Sequence, residues 1–122
     1  MTFFEKAKEN LSAAKICFEN GHFNACANRA YYSALHAAIA ALAHHGIQRK
    51  RIDHGQVQAD FSGELVYRRK LYPARLKSYL SDMQFVRDKA DYTVGSVSRK
   101  MAQRMLSKPE EMIGHIGEEI EK

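Results

Sequence analysis

A chain of 122 residues has room for one domain and one core of useful size, and it is read as a single domain over 1–122. With 45% hydrophobic and 27% charged residues and only two prolines, its composition excludes a disordered chain. No apolar run approaches the roughly 20 residues of a membrane span, and MTFFEKAKEN lacks the basic start and unbroken apolar stretch of a secretory signal, so no membrane role and a cytoplasmic location are expected.

The net charge of +5 is unevenly placed. Residues 1–48 carry four basic and three acidic side chains, residues 49–77 eight and three, and residues 78–122 seven and eight. The excess therefore comes from the middle, chiefly Arg49, Lys50, Arg51 and Arg68, Arg69, Lys70. Such clusters suit a phosphate backbone or an acidic protein surface, and equally a solvated face with a bias in sign.

In chain order, Phe4, Ala7, Leu11, Ala14, Ile16 and Phe18 give a broad apolar side and predict a first helix over Phe3 to Glu19, ended by Asn20-Gly21. A second helix, His22 to His45, holds Phe23, Ala27, Tyr31, Leu35, Ile39 and Leu42 at helical spacing and is closed by Gly46. Its nine alanines let neighbouring backbones come close, which makes it the central helix. A basic loop leads to a third helix starting near Asp53, with Val57, Phe61 and Leu65 inward. Residues 66–74 have no clear pattern, and Pro73 is expected to open a fourth helix carrying Leu76, Tyr79, Leu80, Met83 and Val86. The last helix is expected from about Val94, with Val97, Met101, Met105, Met112, Ile113 and Ile116 as its stripe. Within it, Pro109 either kinks the helix or starts a new one, since Ser107 to Glu110 reads as a capping box. No segment alternates as a strand would, so the expected fold is all-α, an antiparallel bundle of four to five helices.

The run NRAYYSALH (28–36) carries the chemistry. Arg29 and His36 are seven residues apart, about 700° of helix and so nearly two full turns. They share a face with Ser33 between them and Tyr32 to one side, well round from the Leu35, Ile39 and Leu42 stripe. Arg can grip two phosphate oxygens, and a His near neutral pKa can move a proton to or from a ribose hydroxyl. The competing structural reading is an arginine paired with a carboxylate on another helix. Other chemistries find less support. The six histidines show no metal-ligand spacing, and no metal or cofactor is expected. Cys17 and Cys26 match no zinc spacing and read as small buried thiols. There is no phosphate-binding glycine loop, and no short helix–turn–recognition-helix unit of a DNA reader.

The run Asn28-Arg29-Ala30-Tyr31-Tyr32-Ser33-Ala34-Leu35-His36-Ala37-Ala38 resembles the RAYYA-x-F-H-A-A signature of HEPN-domain proteins. Asp53-His54-Gly55 followed by Val57 and Phe61 is similar to that family's third helix, and Arg87-Asp88-Lys89-Ala90-Asp91-Tyr92 to the R-x-x-A-D-Y segment ending its fourth. The resemblance implies a helical bundle that commonly forms a homodimer and is often paired with a minimal nucleotidyltransferase in toxin–antitoxin or defence systems. Many members are metal-independent RNases with an Arg-x(4–6)-His motif. That motif is placed near Arg87–Tyr92, where no His follows until His115; Arg29 and His36 have the spacing, but on the second helix.

The sequence thus leads to a HEPN-type homodimer that partners a nucleotidyltransferase. It would bind nucleotide or RNA in a polar cleft of Tyr32, His54, Arg87, Asp91 and Tyr92, flanked by the basic residues of 49–51 and 68–70. Two alternatives stand beside it: an endoribonuclease using Arg29 and His36, and a docking module with no nucleic-acid role. For Asp91 a buried ion pair with Arg29 or Arg87, capped by Tyr32 and Tyr92, is the favoured role.

Overall fold

The computed structural model describes residues 1–122. Five α-helices follow one another: α1 Phe3–Glu19, α2 Phe23–His44, α3 His54–Asp60, α4 Tyr79–Tyr92 and α5 Arg99–Ile120. α3 continues without a break into a wider-turned π-helical stretch, Phe61–Arg68, and a short 3-10 turn, Ala74–Ser78, runs directly into α4. There is no strand, so the all-α expectation holds. No helix is long and apolar enough to cross a membrane.

Local chemistry sets the helix ends. Thr2 caps α1 in a reciprocal capping box with Glu5, satisfying two backbone donors that the first turn leaves orphaned. Gly21 takes φ +75° in the tight turn to α2, a conformation only glycine adopts cheaply. Asp53 caps α3 by accepting from the Gln56 amide, and Ser98 caps α5 through the Met101 amide.

α2 is the axis of the bundle. Ala27, Ala30, Ala34, Ala37, Ala38 and Ala41 are fully buried on it, and Ala7, Ala14 and Ala102 present equally small side chains from α1 and α5. Small faces let the backbones approach closely enough for the buried Ser33 hydroxyl to donate to the Ala7 carbonyl at 2.7 Å. Ser33 is therefore part of the packing and not of the polar groove its spacing suggested. Tyr31, Leu35, Phe61, Leu65, Leu76, Met83, Met105, Met112 and Ile116 fill the larger volume around this axis. Glu111 of α5 accepts from both Arg75 and Tyr79, tying the 3-10 turn and the start of α4 to the last helix.

Three sequence expectations change. Ile16 is 58% exposed, because α1 buries a narrower stripe than its apolar content implied. The last helix starts at Arg99 and not near Val94, which lies fully exposed in the 93–98 connection; the Ser98 cap decides the boundary. Of the two readings of Pro109, a kink or the start of a new helix, the second is excluded, because Pro109 lies inside one continuous α5. Its ring is buried in the core, and the Ser107 hydroxyl donates to the Arg104 carbonyl within the same helix instead of capping another.

Candidate functional site

Four helices deliver polar side chains to one cluster. Arg29, a turn and a half into α2, donates from Nε and Nη2 to Oδ1 of Asn28 at 3.0 and 2.6 Å, and from Nη1 to Oδ1 of Asn10 on α1 at 3.1 Å. Its guanidinium lies over the Tyr32 ring, 5.1 Å from the centroid. A guanidinium has five N–H donors, so these three bonds leave two free. No carboxylate lies within ion-pair distance of Arg29: Lys15, Arg49, Arg68, Arg69, Arg75, Arg87, His115 and Lys122 are the paired basic groups.

Arg87 of α4 sits behind Tyr32 in the opposite electrostatic situation. It faces Asp88 at 3.3 Å and Asp91, one turn on, at 3.2 Å, and it donates to the Tyr32 hydroxyl at 3.3 Å. Its charge is spread over the Tyr31 and Tyr32 rings, 5.5 and 5.4 Å away. The Arg87 Nε–H is not aimed at Asp91, so their attraction is ionic, and Nε is the one buried side-chain nitrogen or oxygen without a hydrogen-bond partner. Asn28 joins the two arginines: its Oδ1 receives Arg29, and its Nδ2 donates to Asp91 at 3.1 Å.

His36 lies two turns from Arg29 and meets it through α1. Asn10 Nδ2 is 3.2 Å from His36 Nδ1, while Asn10 Oδ1 holds Arg29. The His36 ring packs against Phe3 and Tyr32. Burial, reinforced by the positive charges of Lys6 and Arg29 and by His54, lowers its pKa below the ordinary histidine value and so disfavours the charged ring. His54, at the start of α3, stacks edge-on to Tyr32 and shares a hydrogen bond with the Tyr31 hydroxyl at 3.2 Å. Gln58 donates to that hydroxyl and to Gln84 on α4, closing the cluster from below.

The structure therefore brings together Arg29, Tyr32, His36, His54, Arg87 and Asp91. Tyr92 is 75% exposed, outside the cluster, because it falls on the outer side of α4 when Asp91 faces Asn28. Of the two candidate partners for Asp91, Arg87 is the one that pairs. The residues that sequence reasoning passed over are Asn10, Asn28, Gln58 and Gln84, uncharged amides whose roles depend on contacts between helices.

The basic clusters are partly neutralised. Arg49 forms a two-point ion pair with Asp60, at 2.7 and 3.0 Å, which holds the Asp60 carboxyl below its usual pKa. Arg68 and Arg69 both face Glu64, and Arg69 also caps the end of α2 by donating to the His45 carbonyl at 3.2 Å. Lys50, Arg51 and Lys70 are exposed and carry no ion pair, which leaves them as the free charge of this surface. Beside Lys50 and Arg51 a cavity of about 260 Å³ opens between α2 and the 47–53 loop, floored by Phe3, Ile39 and Val57. No three His, Cys, Asp or Glu side chains converge where they could share a metal ion. Both cysteines are free thiols, with Cys26 pushed up to about 11 by burial.

Comparison with known proteins agrees with this architecture. A family model described as the HEPN domain matches residues 1–120. A protein of Methanocaldococcus jannaschii named "putative toxin" is 34% identical over 116 residues, which cover 92% of this chain and 81% of the relative.

Proposed function

The chain belongs to the HEPN-domain family, and on that premise we propose that it is a toxin-type HEPN protein that binds a phosphate of RNA or nucleotide at Arg29. One observation carries the reading. Arg29 is half-buried with no carboxylate partner, held in place by two neutral amide oxygens and an aromatic face, with two N–H groups to spare. A charge kept for structure would be paired, as Arg87 is beside it. A charge positioned by neutral groups keeps its field for an incoming anion. Lys50, Arg51 and Lys70 provide the unpaired positive surface that would draw a polyanion toward the fold.

In this reading the chain works as a homodimer in the cytoplasm with a minimal nucleotidyltransferase as its partner, the arrangement that the HEPN resemblance implies, and the toxin name of its archaeal relative supports that setting. The test is binding of labelled single-stranded RNA and of mononucleotides by fluorescence anisotropy across a salt series. Arg29→Gln is expected to weaken binding at least tenfold and to lower the salt slope by about one. Unchanged affinity and slope in that variant would refute the site.

A second reading has an observation of its own. Asn10 holds Arg29 and His36 together, as a phosphate-gripping arginine and an acid/base histidine of a metal-independent endoribonuclease would need. It predicts RNA cleavage that survives chelator and disappears in His36→Ala.

A further inference from the structure

Asn10 stands between Arg29 and His36, and its amide has no freedom of orientation. Its Oδ1 faces Arg29 Nη1, which can only donate, and its Nδ2 faces the Lys6 carbonyl at 3.0 Å, which can only accept. Both neighbours dictate the same orientation, so the second Nδ2 hydrogen is what meets His36 Nδ1 at 3.2 Å. His36 Nδ1 therefore carries a lone pair, and the proton of the neutral ring sits on Nε2. Nε2 has no hydrogen-bond partner within the protein, and since Arg87 Nε is the one buried atom so placed, His36 Nε2 reaches solvent.

We infer that Asn10 is the positioning residue of this site: the same amide that holds Arg29 locks His36 as a neutral Nε2–H donor, so that His36 binds an acceptor oxygen of the ligand and exchanges no proton with it. The inference rests on the anion-binding reading above and names the chemistry of its ligand. A non-bridging phosphate oxygen suits two kinds of donor at once, whereas a ribose hydroxyl in need of a base finds none at Nε2.

The surroundings oppose a second proton from every side. Lys6 of α1, Arg29 of α2 and His54 of α3 all face His36, Arg87 of α4 stands beyond Tyr32, and no carboxylate is in contact with the ring. Protonating Nδ1 would set an N–H against the Asn10 amino group. Turning the amide to relieve this would set Nδ2 against Arg29 and Oδ1 against the Lys6 carbonyl, so one proton would cost the hydrogen bonds of both neighbours.

Long-range proton–nitrogen correlation spectra of the wild-type protein read the tautomer directly. The expected result is a protonated Nε2, a bare Nδ1 and titration below the ordinary histidine range, with inorganic phosphate and a short oligoribonucleotide each shifting the Nε2–H signal. Asn10→Asp, whose carboxylate can still accept from Arg29, should move the proton to Nδ1 and raise the titration. A protonated Nδ1 in the wild type, or titration at or above the ordinary value, overturns the inference whether or not RNA binds. The expected tautomer with an Nε2–H signal that neither probe moves overturns the donor role of His36, while the anion site at Arg29 falls only if Arg29→Gln also binds RNA unchanged. An Asn10→Asp protein that is folded by circular dichroism yet has an unaltered His36 titration removes Asn10 as the cause.

Discussion

The two arginines of the cluster should respond oppositely to the same change. Arg87 has a side chain only 13% exposed, and replacing it by Gln strands Asp91, 28% exposed, beside Asp88, 47% exposed. Breaking a fully buried ion pair costs about 3–5 kcal/mol, and the partial exposure of both carboxylates brings this to roughly 2–3 kcal/mol. Arg29→Gln strands no charge. It gives up three hydrogen bonds to the amide oxygens of Asn10 and Asn28, worth about 0.5–1.5 kcal/mol each, of which Gln and water replace a part. A net loss of about 1 kcal/mol follows. For a chain of this size each kcal/mol moves Tm by roughly 3–5 °C, so the losses should be about 3–5 °C for Arg29→Gln and about 6–15 °C for Arg87→Gln. RNA affinity should show the reverse order, with Kd rising at least tenfold, about 1.4 kcal/mol, in Arg29→Gln. Thermal melts and anisotropy on the same preparations decide it. If Arg29→Gln melts as low as Arg87→Gln while binding RNA normally, Arg29 is a strut and the argument from its missing carboxylate is wrong.

Further outcomes follow from single features. Gly21→Ala should cost about 1 kcal/mol in urea unfolding, all of it from the positive φ, because a Cβ there would touch nothing within 4 Å. The lowered pKa of Asp60 contributes stability that is present above the ordinary carboxylate value of about 4 and is lost as pH falls through the folded value; Asp60→Asn should flatten the acid limb of the stability curve measured in urea. The lowered pKa of His36 acts in the same sense at higher pH, present above about 6.5 and lost on acidification, so His36→Gln should lose less stability than wild type between about pH 7 and pH 5. His45, also lowered by burial, leaves some of that slope in place.

What could be read in the sequence was whatever repeats along one helix. The periodic stripe of α2, the Gly21 turn and the shared face of Arg29 and His36 need only 3.6 residues per turn. Charge partners were harder. The 49–51 and 68–70 clusters count as six cations in sequence, but Asp60 and Glu64 neutralise Arg49 and Arg68 through folding, and Arg69 turns to a helix end. Amides were hardest. Asn10 is nineteen residues from Arg29 and twenty-six from His36, and an asparagine on the side of a helix gives no periodic signal. The α5 boundary differs because apolar Val94 and Val97 extend the stripe beyond the Ser98 cap, and the capping-box reading of Ser107 to Glu110 fails because the sequence does not show that the Pro109 ring faces the core.

The wide turn after α3 bears on how this chain tolerates changes in length. Between Phe61 and Arg68 the backbone reaches five residues back, as where the Arg69 amide bonds the Glu64 carbonyl at 2.9 Å, so the coil holds more residues per turn than an α-helix. Deleting one exposed residue there would let the coil tighten to ordinary helical pitch. One residue fewer at about 100° each turns nearly as far as the present eight at the wider pitch, so all that follows would keep its direction. Leu65, Val66 and Tyr72 would stay turned to the core, and Arg69 would stay at the end of α2. An exposed position such as Gly63 is therefore free to vary in count as well as in kind. Relatives aligned through this stretch should accept a one-residue gap here far more readily than inside α2 or α5, where the same loss would rotate all that follows by about 100°.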